Sequence, residues 1–169
     1  RTPDAAIKLL VIGISGSGKT TIGKLIASQL GWPFLDADDF HSSASIDKMS
    51  RSVPLTDADR KPWIDALITR LNEHPDASEV LACSALTAAI RARFTQETLA
   101  AVRFVYLKID HDRALQRLNA RQGHYAKAGL LQSQLATLEE PSDAIVVEAD
   151  DTPAEDTAQR VLAQLPRSV

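Results

Sequence analysis

The run Gly13-Ile14-Ser15-Gly16-Ser17-Gly18-Lys19-Thr20 sets glycines, a lysine and a hydroxyl at the spacing G-x-x-x-x-G-K-[ST]. Each residue type has a physical task in holding a nucleotide's phosphates. Gly13, Gly16 and Gly18 permit backbone angles and close approaches that a side chain would block. The loop amides, those of Ser15 and Ser17 among them, and the helix start at Thr20 and Thr21 then face the α- and β-phosphates. Lys19 reaches the β- and γ-phosphates, and the Thr20 hydroxyl is placed to ligate Mg²⁺. The pattern predicts ATP with Mg²⁺ as the bound species.

A phosphate loop alone does not separate kinases from switches or motors. Leu35-Asp36-Ala37-Asp38-Asp39-Phe40-His41 supplies carboxylates and an imidazole at the end of a short strand, the edge of an open parallel sheet where ligands bind. Asp36 and Asp38 alternate, so an extended backbone would aim both to one side. Asp36 is assigned to Mg²⁺, and Asp38 to the proton of an attacking hydroxyl, held in line with the γ-phosphate. Asp39 suits the cap of the next helix. His41 has two readings, donation to a substrate oxygen or closure of the turn. The Asn-Lys-x-Asp guanine signature is absent.

Elements that position these groups follow from periodicity. Strands are predicted at Ile7–Ile12, Pro33–Asp36, Glu79–Cys83, Arg103–Ile109 and Ala144–Glu148. Helices are predicted at Thr20–Leu30, Ser45–Arg51, Ala58–Asn72, Thr87–Phe94, Asp112–Arg121 and from Pro153 to about Gln164. Strands alternating with helices predict an α/β fold, a five-stranded parallel sheet flanked by helices. The polar stretch at about 122–141 has no strand of its own and is read as an active-site lid within one domain covering 1–169.

Composition narrows the class. The chain of 169 residues is 44% hydrophobic and 24% charged, enough for one core, and its net charge of −3 argues against nucleic acid as a partner. Its apolar runs are too short to cross a bilayer. Cys83 is the single cysteine, so no internal disulfide forms, and the expected address is the cytoplasm.

The blocks Leu35 to His41, Asp47-Lys48-Met49, Pro54 to Trp63, Cys83-Ser84-Ala85-Leu86, Arg121 to Tyr125 and Leu130 to Gln134 resemble the small gluconokinases. That resemblance implies a nucleoside-monophosphate-kinase-like core with a lid, similar to shikimate kinase, and transfer from ATP to D-gluconate. It implies Arg60 as partner of the acceptor carboxylate, with Lys48 and Arg51 as weaker candidates, and Ser84, His124 and Gln134 near the acceptor. Arg121, and after it Arg117, would serve the phosphates; the two lie one helical turn apart. The resemblance also admits a homodimer. The chain departs from it at Thr87, Ile90 and Ala92, where the family usually has lysine, tyrosine and aspartate, while Arg91 is kept. The departure bears on the acceptor more than on the phosphoryl chemistry.

Overall fold

Alternating side chains along β1 (Ile7–Ile12) feed two separate cores, which is why its run is apolar almost throughout. Leu10 and Ile12 join one buried cluster, Leu9 and Val11 the other. The computed structural model describes residues 5–14, 16–51, 53–120, 127–149 and 152–165.

The strands are β1, β2 (Phe34–Asp36), β3 (Glu79–Ala82), β4 (Ala101–Lys108) and β5 (Ile145–Glu148). They form one sheet in the order β2-β3-β1-β4-β5 with every pairing parallel. The helices are α1 (Lys19–Leu30), α2 (Ser43–Ser50), α3 (Asp57–Glu73), α4 (Ala88–Glu97), α5 (His111–Ala120), α6 (Lys127–Thr137) and α7 (Ala154–Gln164). One core sets Trp63, Ile64, Leu67, Ile68 and Leu71 of α3 and Phe94 of α4 on Leu10, Leu81, Phe104 and Tyr106. The other sets Ile22 and Ile26 of α1 and Ala158 and Val161 of α7 on Leu9, Val80, Val105 and Leu107. Among the described residues no helix is long and apolar enough to cross a membrane.

The predicted strands all form, and the predicted helices form with ends shifted by a few residues. Local chemistry explains the boundaries. Gly31 ends α1 at φ 71°, the left-handed conformation that glycine adopts without Cβ strain. Thr56 and Asp59 close a capping box on α3. Asp110 Oδ2 accepts from the Asp112 amide at 3.1 Å and caps the start of α5. Helix α6 lies inside the stretch read as a lid, for which no helix was expected. Leu131 buries it against Ile14 and Ala114.

The far end of the sheet holds a buried charge network. Lys8 is fully buried, and its Nζ donates to Glu79 Oε1 at 2.7 Å and to the carbonyls of His74 and Ala77. Arg70 Nη2 reaches the other Glu79 oxygen at 3.0 Å. Removing Lys8 leaves the buried Glu79 with Arg70 as its remaining cation and strips the His74 and Ala77 carbonyls of their donor, at about 3–5 kcal/mol together. Lys8→Met is therefore expected to lower the melting temperature by on the order of 10 °C. A calorimetric shift below about 2 °C would show that the network does not stabilise the fold.

Candidate active site

The loop after β1 is shaped by backbone sterics. Gly13, Gly16 and Gly18 have φ of 151°, 85° and 94°. A Cβ on Gly16 would sit 2.6 Å from the Ala114 carbonyl oxygen of α5, and one on Gly13 2.9 Å from that of Leu107. Only glycine lets the loop lie this close to the end of β4 and to α5. Gly18 is the N-cap of α1 and makes no side-chain cap bond, so the first amides of the helix are presented to an anion. Ser17 Oγ is buried without a hydrogen-bond partner among the described residues. Lys19 Nζ donates to the Ile14 carbonyl at 3.0 Å, across the loop. These are the donors that a chain of phosphates requires.

The carboxylates come from the neighbouring strand end. Asp36 Oδ2 accepts from Thr20 Oγ1 at 3.1 Å, which joins β2 to the phosphate loop. The extended spacing expected for Asp36 and Asp38 is not what forms. Asp36 Oδ1 instead accepts the Asp38 amide at 3.0 Å and opens a 3₁₀ turn over Ala37–Phe40. An aspartate that bonds the amide two residues on ends a strand in this way. The cap of α2 is Ser42, not Asp39. The Asp38 side chain is 83% exposed, and its Oδ1 lies 3.8 Å from His41 Nε2.

His41 stacks on Trp63 with ring centroids 4.3 Å apart and planes inclined by 13°. Trp63 Nε1 in turn donates to the Ala37 carbonyl at 2.6 Å, pinning the 3₁₀ turn to α3. The turn-closing reading of His41 thus has direct contacts behind it. Burial pushes the imidazole below its ordinary value, while Asp38 and Asp36 act in the opposite sense. A depressed folded-state pKa means that the neutral ring is favoured by folding. Its contribution is complete above the ordinary value and is lost as pH falls through the lowered one. An NMR titration should give His41 a midpoint below about 6.5, and Asp38→Asn should lower it further. A wild-type midpoint above that value would contradict the buried stack.

After β3 the chain runs through Cys83–Leu86 to the start of α4. Cys83 is buried, its thiol is pushed up to about 12 by desolvation, and the charges of Lys19, Asp38 and Asp36 all bear on it. That places all three groups around the end of β3. Ala85 has φ 39°, the one positive value at a non-glycine among the described residues, a conformation that costs roughly 1–2 kcal/mol per residue. On the other side of β1, Arg117 Nη1 lies 3.4 Å from the carbonyls of Gly16 and Ser17, and its Nη2 donates to the Ala149 carbonyl. The sheet order therefore divides the site. Asp38 and Ser84 stand on the β2–β3 side of the phosphate loop, Arg117 on the β4–β5 side.

A family model described as shikimate kinase matches residues 15–166. The gluconokinase of Gluconobacter oxydans (strain 621H) is 43% identical over 137 residues, which span 80% of this chain and 76% of that one. This chain belongs to the gluconokinase family. The thermoresistant gluconokinase of Escherichia coli (strain K12) is 38% identical over 147 residues, 83% of either chain. The crystal structure of a gluconokinase from Sinorhizobium meliloti 1021 superposes with a TM-score of 0.85 at 34% identity, covering 95% of this chain and 92% of that one. The APS kinase CysC of Mycobacterium tuberculosis, solved with AMPPNP and APS, superposes at 0.70 with 19% identity over 95% and 98% of the two chains, a likeness of fold. The family and the P-loop kinase fold expected from the sequence are both found.

In this gluconokinase-family chain several candidate groups already hold partners. Lys48 Nζ pairs with Asp59 Oδ2 at 2.7 Å, which brings the Asp59 carboxyl down to about 2 and ties α2 to the capping box of α3. Arg60 donates to the Leu55 carbonyl and to Asp57 Oδ1, each at 2.7 Å. Arg51 pairs with Asp47 on the exposed face of α2. Ser84 is half-buried after β3, and Gln134 lies on α6. Thr21 is exposed at the start of α1. Ser15, Arg121 and His124 lie outside the described residues, as does part of the stretch near Asp150 expected to meet adenine. At the departure from the family, the Thr87 hydroxyl accepts the Ile90 amide at 3.2 Å and caps α4. Trp63 as the residue that pins the 3₁₀ turn was not legible, since its partner Ala37 lies 26 residues away, and the positive φ of Ala85 carries no signal in its residue type.

Proposed function

We propose that this chain transfers the γ-phosphoryl group of ATP to D-gluconate, giving 6-phospho-D-gluconate and ADP, by direct in-line displacement. The observation that carries this is the bond between Thr20 and Asp36. It sets the carboxylate-bearing end of β2 against the loop that cradles phosphates.

In this reading Lys19 and Arg117, with Arg121, neutralise charge on the transferring group. The loop from Gly13 to Thr21, Ser15 to Gly18 included, holds the other phosphates. Asp38 orients the acceptor hydroxyl and takes its proton. Arg60 and Lys48 face the acceptor carboxylate, and Ser84, His124 and Gln134 its hydroxyls, while His41, stacked on Trp63, closes the turn that carries Asp38. The stretch at about 122–141 acts as a lid on a single-domain core.

Thr20 and Asp36 offer oxygen donors of the kind Mg²⁺ prefers. The described residues contain no cluster of three or more metal-ligating side chains, which fits an ion held largely by the nucleotide's phosphates rather than by a protein cage. Mg²⁺ would supply charge neutralisation at those phosphates. The reading includes a cytoplasmic enzyme without a nucleic-acid partner, with a homodimer as the assembly to test.

A coupled ADP-release assay over gluconate, shikimate and other sugar acids tests the acceptor. Gluconate-dependent release well above the background ATPase rate is expected. Its absence, with release on another acid, would reassign the substrate.

A further inference from the structure

Arg91 is buried to 7% exposure inside α4, an unusual place for a guanidinium. Its Nη1 donates to the Ala85 carbonyl at 2.9 Å and its Nη2 to the Glu139 carbonyl at 2.7 Å. Glu139, just beyond α6, returns two further bonds to the same loop. Its amide donates to the Leu86 carbonyl at 2.8 Å, and its Oε1 accepts the Ala88 amide at 2.8 Å. Three hydrogen bonds thus join the segment 86–91 to the end of α6, and a fourth, from Arg91 to Ala85, ties that segment back to the residue held at positive φ.

Resting on the phosphoryl-transfer reading above, we infer that Arg91 and Glu139 form a latch that positions the acceptor-side loop Cys83–Leu86 and couples it to helix α6. Arg91 is a positioning residue in this scheme. It touches no reacting group but supplies the bonds that hold Ala85 in an unfavourable backbone state, and so sets where Ser84 stands. A guanidinium is suited to this because its planar fork binds two carbonyls at once in fixed geometry, which lysine cannot reproduce.

The latch lies on the β2–β3 half of the site, so its loss should be felt by the acceptor and not by ATP. In Arg91→Met the acceptor kcat/KM should fall about 10- to 100-fold while the ATP KM stays within about twofold, as expected when a positioned group shifts by a fraction of an ångström. Arg91→Lys should recover only part of this. Glu139→Ala removes the Ala88 contact from an exposed side chain and should move the same constants the same way by a smaller factor, which keeps the test open if Arg91→Met does not fold.

Amide exchange provides an arm independent of acceptor identity. In folded Arg91→Lys and in Glu139→Ala, the amides of Ala88 and Glu139 should both exchange faster than in wild type, while those of Leu10 and Leu81 keep their protection. The inference is overturned if the Glu139 amide keeps its protection while Ala88 loses its own, or if the ATP and acceptor constants change together. Wild type lacking turnover on gluconate would count against the proposed acceptor alone, leaving the exchange result to decide the latch.

Discussion

Lys19→Ala should leave a folded protein whose phosphoryl transfer is slower by about three orders of magnitude or more. Lys19 opens α1 on the surface of the loop, half-exposed, and belongs to neither core cluster. Its removal therefore costs little packing, and the melting temperature should stay near that of wild type. Its ammonium, by contrast, spans the loop to Ile14, where, on the proposed function, it would meet the phosphates on which negative charge changes during transfer. Preorganised charge of this kind has no substitute from water in a closed site. A single-turnover assay with saturating ATP, paired with calorimetry, separates the two effects. Turnover near the wild-type rate would remove the phosphate loop from the mechanism.

Asp38→Asn is expected to lower kcat by about 10²- to 10⁴-fold with little change in ATP affinity. The side chain is mostly exposed and takes part in no core contact, so asparagine fits without strain. What the amide lacks is the ability to accept the proton of the attacking hydroxyl. Asp36→Asn is a different experiment, because that carboxylate also holds the Thr20 hydroxyl and the Asp38 amide. It should disturb the turn and the metal side together. A collapse of ATP affinity in Asp38→Asn with normal kcat would assign Asp38 to the nucleotide.

The legible and illegible parts of this molecule divide by the range of the interactions that decide them. The phosphate loop was plain because its glycine spacing is a local steric requirement, and Gly16 against Ala114 shows how tight that requirement is. The strands were plain because apolar runs of that length have few other uses. The conformation around Asp38 was misread, since Asp-Ala-Asp-Asp fits an extended strand as well as a turn, and a single bond from Asp36 decides between them. Helix α6 carries only a weak apolar stripe in sequence. Its anchor Leu131 is buried by Ile14 and Ala114, distant residues that no window includes. Ala85 gave no signal, because alanine is not a residue that announces a left-handed backbone. The presence of Arg91 matches the family pattern, but its purpose lies in carbonyls that only the folded chain brings to it.

The buried pair of Lys8 and Glu79 occupies a single rung of the ladder between β1 and β3. Sliding one strand past the other by a residue would set Leu9 against Glu79, turn every side chain of the strand to the opposite face and strand an ammonium in the core. It would also raise or lower the phosphate loop by about 3.3 Å relative to the Cys83–Ala85 segment, more than the length of a hydrogen bond. A charge pair at the foot of the sheet thus serves as a key cut to one depth, and the two loops at the opposite end meet at the right height because it fits.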